Sequence, residues 1–135
     1  MSAASNYLEN KVLDHVLGGS SYSQPASLYV GLFTNTSGSA ATNLEAGTLT
    51  DEVSGGSYAR KAATFSAASS GTASTSATIT FDAATANWGT ITHVAIIDAS
   101  TSGNVLFWGA VTTSKTIESG DTFQISSSNL SVSLA

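Results

Sequence analysis

Nine carboxylates, four cations and two histidines are all that the chain offers for acid–base or metal chemistry, so their spacing decides what they can do. His15 falls beside Asp14 near the end of a helical pattern, where an imidazole close to the helix dipole is an ordinary placement. His93 lies in an apolar run with Ile91 and Ala95 on its side of the strand, the setting of a packed, hydrogen-bonded histidine rather than a ligand. With 24 serines in the chain a Ser-His-Asp trio can always be imagined, but no serine occupies a G-x-S-x-G elbow. The carboxylates Glu45, Asp51, Glu52, Asp82, Asp98, Glu118 and Asp121 are scattered, with neither EF-hand nor H-E-x-x-H spacing. Only Asp51 and Glu52, adjacent on a long polar stretch, could help hold a calcium ion; Asp82, Asp98 and Asp121 stand beside turn residues, where Asp stabilises reversals. No glycine pattern forms a phosphate loop. Trp88 and Trp108 could stack on a sugar, although tryptophan in a thin core more often fills volume. The chain has no cysteine, which excludes disulfides and thiolate sites. These residues predict no catalytic residue, no cofactor and no metal site, hence not an enzyme.

The composition narrows the partners in turn. Ala, Ser and Thr supply 20, 24 and 18 of 135 residues, so each buried position removes little area from water and association is a plausible source of extra stability. Charged residues are 10% of the chain and the net charge is −5, with three lysines and one arginine. No basic stripe exists to neutralise phosphates, which argues against nucleic acid. The N-terminal M-S-A-A-S-N-Y-L lacks a basic region followed by an apolar one, and no run approaches 18 apolar residues. Neither export through a standard signal peptide nor a membrane span is expected.

The elements that must position these side chains centre on Trp88 to Val111. Val94 to Ile97 and Val105 to Trp108 are nearly continuous apolar runs around Asp98 to Asn104, with Gly103 and Asn104 expected to supply the positive φ of a tight reversal. Both arms should bury both faces. Residues 5 to 17 carry a helical pattern, Leu8, Val12 and Val16 with Leu13 and Leu17 widening the stripe; Ser5 or an Asn6 and Glu9 capping box starts it and Gly18-Gly19 ends it. Residues 26 to 34 alternate as a strand in which Gly31 suggests close approach of a backbone or an aromatic ring. A polar stretch from 35 to 57 is too long for an ordinary connection. Strands are expected over 58 to 66, with Arg60 and Lys61 on opposite faces, over 77 to 82, and in three short runs from 112 to 134. Length and pattern predict one domain, residues 1–135, with a helix at about 5–17 and a β-sandwich at about 26–135. The fold class is mainly β, an antiparallel, jelly-roll-like sandwich of seven or eight strands with one N-terminal α-helix.

Five segments in order, Tyr7 to Gly18, Leu28 to Thr34, Glu52 to Arg60, Trp88 to Gly109 and Gly120 to Ile125, resemble the small structural proteins of tailed bacteriophages often labelled tail-fibre proteins. The resemblance implies a non-enzymatic virion component that works by protein–protein contact. Because 135 residues without heptads or β-helix repeats do not make a long shaft, a compact unit on a larger assembly is expected. Capsid decoration or cementing is the leading expectation, as a homo-oligomer, with a trimer as one form of it. A tail or tail-fibre protein comes next, and a carbohydrate- or receptor-binding module after that. Partners would be copies of itself and other capsid or tail subunits, with no nucleic acid and no membrane. Contact residues are expected at Tyr7 and Leu8 on the helix and at Leu44, Leu49 and Val53 on the long loop, whose isolated apolar side chains have no evident partner; the alternative is that this loop folds back onto its own sandwich.

Overall fold

In the computed structural model, residues 3–134 are described. Their order is β1 (Ala3–Ala4), α1 (Asn6–Leu17), β2 (Tyr29–Phe33), α2 (Ala40–Glu45), β3 (Lys61–Ala62), β4 (Thr72–Ser74), β5 (Ile79–Thr80), β6 (Gly89–Ile97), β7 (Val105–Ile117), β8 (Gln124–Ile125) and β9 (Ser131–Ser133). The apolar runs of β6 and β7 form the expected hairpin at the middle of a five-stranded antiparallel sheet in the order β1-β7-β6-β2-β3. Two-stranded antiparallel ladders, β4-β9 and β5-β8, complete a mainly β, sandwich-like fold.

Alternation along the strands sends side chains to two apolar clusters, one on each face of the sheet. Val30, Leu32 and Val94 join Ile79, Phe81, Trp88 and Phe123 in the larger one, where the β5-β8 ladder is the cover. Phe33, Ala95, Ile97 and Val105 join Leu44 in the smaller, with Leu49 and Trp108 packed against it. This second face explains the length of the 35–57 stretch. A sheet buried on both sides needs a cover on each, and α2 is that cover. Gly31 marks the crowding there: a Cβ at this position would lie 3.0 Å from Glu52 Oε2 and 3.2 Å from the Phe33 ring.

Ser5, not Asn6, caps α1: its side chain accepts from the Leu8 amide at 3.3 Å and its hydroxyl donates to the Val105 carbonyl. Gly18, at φ 88°, closes the other end. The expected strand over 58–66 is reduced to Lys61–Ala62, because Gly55, Gly56 and Ser57 all take positive φ and turn the chain before it can pair. In the 98–104 reversal the positive φ falls on Ser102 and Gly103; Asn104 instead donates through backbone and side-chain nitrogens to Asp98 at 2.7 and 2.9 Å. A second helix, α2, lies inside the stretch expected to be loop. Its apolar residues are too few to show helical periodicity in sequence.

Candidate interaction surface

Where polar side chains gather, they are bonded to the chain itself. Arg60 is buried and grips Glu52 with both arms, Nε to Oε2 at 2.6 Å and Nη2 to Oε1 at 2.7 Å. Its remaining nitrogen donates to the carbonyls of Ala99 and Ser102 at 2.8 and 2.7 Å. Tyr58 donates to Glu52 Oε2 and accepts from the Leu32 amide, each at 2.9 Å. The whole fastens the 52–60 segment to β2 and to the 98–104 turn. Burial and the Glu52 carboxylate push the Tyr58 phenol well above its usual range, while hydrogen bonding to Glu52 holds the Arg60 guanidinium charged. Both groups are fixed in one protonation state at neutral pH, which suits a clamp and not a proton shuttle. Neighbouring Lys61 points the other way, to Asp82 at 2.9 Å in an exposed pair.

Asp51 is likewise a fastening point. It accepts from Ser37 through the amide at 3.0 Å and the hydroxyl at 2.6 Å, and from Thr36 at 3.3 Å. The Ser37 hydroxyl is the main cause that lowers its pKa. Asp51 and Glu52 therefore diverge to different partners, and among the described residues no group of three or more acidic or histidine side chains gathers around a common point. His15 accepts from the Tyr22 amide at 3.0 Å. His93 meets Thr92 Oγ1 at 2.8 Å, and burial lowers its pKa. The two histidines sit in separate local networks, as packed or capping groups do.

The tryptophans offer no open ring pair. Trp88 is 5% exposed and donates to the Gly56 carbonyl at 2.9 Å, standing edge-on to Tyr58. Trp108 is half-buried, its indole N–H held by Glu45 at 2.7 Å. A sugar platform needs an exposed π face; Trp88 fills the core instead.

The five expected contact residues are dispersed. Leu44 and Val53 lie in the two core clusters at 1% and 6% exposure, Leu49 packs against the smaller cluster, and Leu8 is buried beneath α1. Tyr7 is half-buried with the Lys11 ammonium 5.6 Å from its ring. Among the described residues, four large apolar side chains stay exposed: Leu134, and on the outer flank of α1 Leu13, Val16 and Leu17 at 56%, 70% and 78%. The sequence signal for this was the width of the stripe. At 100° per residue, Leu8 through Leu17 spread over about half of the helix circumference, more than one flat contact can bury.

Among the described residues, no helix is long and apolar enough to cross a membrane. The family model for the podophage GP4 fiber I protein gp80 matches residues 3–133. No curated protein matches the chain.

Proposed function

We propose, from the premise that this chain belongs to the podophage GP4 fiber I protein gp80 family and is a structural component of the virion, that it works without catalysis as a compact, self-associating unit of a tail fibre. The observation that carries the reading is the apolar flank of α1, where three large side chains are left in water. Such a surface serves assembly: apolar area left open on the free chain is what a neighbouring subunit can remove from water. The whole chain acts as one domain. Leu44, Leu49 and Val53 act inside the fold, holding the 35–57 segment against the core. Partners are copies of the chain and other tail proteins, and the site of action is the assembled particle.

Capsid decoration is the competing reading, favoured by the absence of heptads and β-helix repeats from the sequence; the description of the family as a fibre protein supports the fibre reading. Cryo-electron microscopy of intact particles distinguishes them. Density for this chain on the tail is the expected result. Density on the capsid lattice would replace the fibre reading with decoration, and absence from the particle would defeat both.

A further inference from the structure

Beside the ridge on α1, the molecule has an apolar groove, and the two suit each other. The groove lies where the β4-β9 ladder meets the hairpin end of the sheet, between Leu28, Phe65, Leu106, Phe107, Val132 and Leu134, and encloses about 260 Å³. Leu106 and Val132 form buried walls, and Leu134 stands at the mouth, 57% exposed. We propose that the Leu13, Val16 and Leu17 flank of α1 docks into this groove on a second copy of the chain, giving a head-to-tail contact. The inference rests on the self-association proposed above and names its surface.

Size, chemistry and area each support that occupant. An apolar cavity of about 150 Å³ takes a benzene, so 260 Å³ has room for roughly ten carbon atoms. The three side chains of the ridge together carry about that many. The walls are apolar, and so are the three exposed side chains, Leu13, Val16 and Leu17, offered to them. The ridge is one helical turn long, and pairing it with its own symmetry mate would bury far less than the roughly 1,600 Å² of a stable interface. Seating it in a concave surface adds the groove walls and the flanks of both bodies to the buried area. Because ridge and groove are different patches, the contact is heterologous: copies join in a closed ring or continue as an open chain. α1 is tied down at its start by Ser5, bonded to the Val105 and Leu106 carbonyls, and by buried Leu8, while Leu13, Val16 and Leu17 of its last turns stay exposed.

Mixing two variants of the full-length protein tests this by sedimentation velocity. Leu13→Glu/Leu17→Glu spoils the ridge and Leu134→Glu spoils the groove mouth; all three positions are exposed, and circular dichroism checks that both variants fold. Wild type should self-associate, each variant alone should do so at least about 100-fold more weakly, and an equal mixture should form a one-to-one dimer, because it still contains one intact ridge and one intact groove. A mixture as monomeric as its components would overturn the head-to-tail contact. A ridge variant that assembles like wild type would overturn this surface while leaving self-association standing. A wild type that stays monomeric at all concentrations would remove self-association itself, whereas the place of the protein in the particle is judged separately by microscopy.

Discussion

The 35–57 segment and the N-terminal helix both set apolar residues among polar ones, and the fold uses them in opposite ways. Leu44, Leu49 and Val53 go inward against the sheet, while Leu13, Val16 and Leu17 of α1 stay in water. The difference follows from what each segment has beside it. The 35–57 segment leaves β2 and lies over a face of the sheet, and Asp51, Glu52 and Arg60 fasten it there with charge-assisted hydrogen bonds. α1 follows a two-residue strand at the far edge of the sheet and has room to bury only Leu8 fully. A polar residue with several fixed partners therefore predicts closure better than the apolar residues around it do.

Mutation sharpens this contrast. The largest effect should come from Arg60→Ala, which leaves the mostly buried Glu52 carboxylate without its cation; a loss of about 4 kcal/mol in urea unfolding is expected, and a loss under about 1 kcal/mol would mean that the clamp does not hold the segment. Leu44→Ala should cost about 3 kcal/mol by leaving a cavity under α2. If it cost no more than a surface substitution, the 35–57 segment would not be a cover at all. Asp51 gives a smaller, pH-dependent effect. Its carboxyl is held below the ordinary value of 3.8, so the unfolded chain binds the proton more readily. Its contribution is fully present above that value and is lost as pH falls through the lower folded value. Asp51→Asn should flatten the acid side of a stability-against-pH curve, and an unchanged slope would show that other carboxylates set it. Lys61→Ala, which breaks only the exposed pair with Asp82, should stay within about 1 kcal/mol. The smallest effect belongs to α1: Leu17→Ser should change the stability of the dissociated chain by no more than about 0.5 kcal/mol, and a loss like that of Leu44→Ala would show that the flank is packed after all.

Periodicity and capping made much of this legible. Leu8, Val12 and Val16 with Ser5 and Gly18 defined α1, and the apolar runs on either side of Asp98 to Asn104 defined the hairpin, because helix stripes and buried strands are local patterns. Gly31 signalled a crowded backbone, and Arg60 and Lys61 separate as adjacent residues of an extended chain must. The tryptophan alternatives were open in the sequence because an indole serves equally as core filler or platform; the Gly56 carbonyl and the Tyr58 ring around Trp88 separate them, and both come from more than 25 residues away in the chain.

The sequence by itself determined the element types, the mainly β class, the central hairpin and the scarcity of chemistry-bearing side chains, since each is written in residue identity and short-range spacing. Only the tertiary structure decided which apolar residues are covered. Burial depends on whether another part of the chain arrives over a side chain, and α2 arrives over the sheet while, among the described residues, none covers the outer flank of α1. The surface offered to a partner is what the fold leaves over.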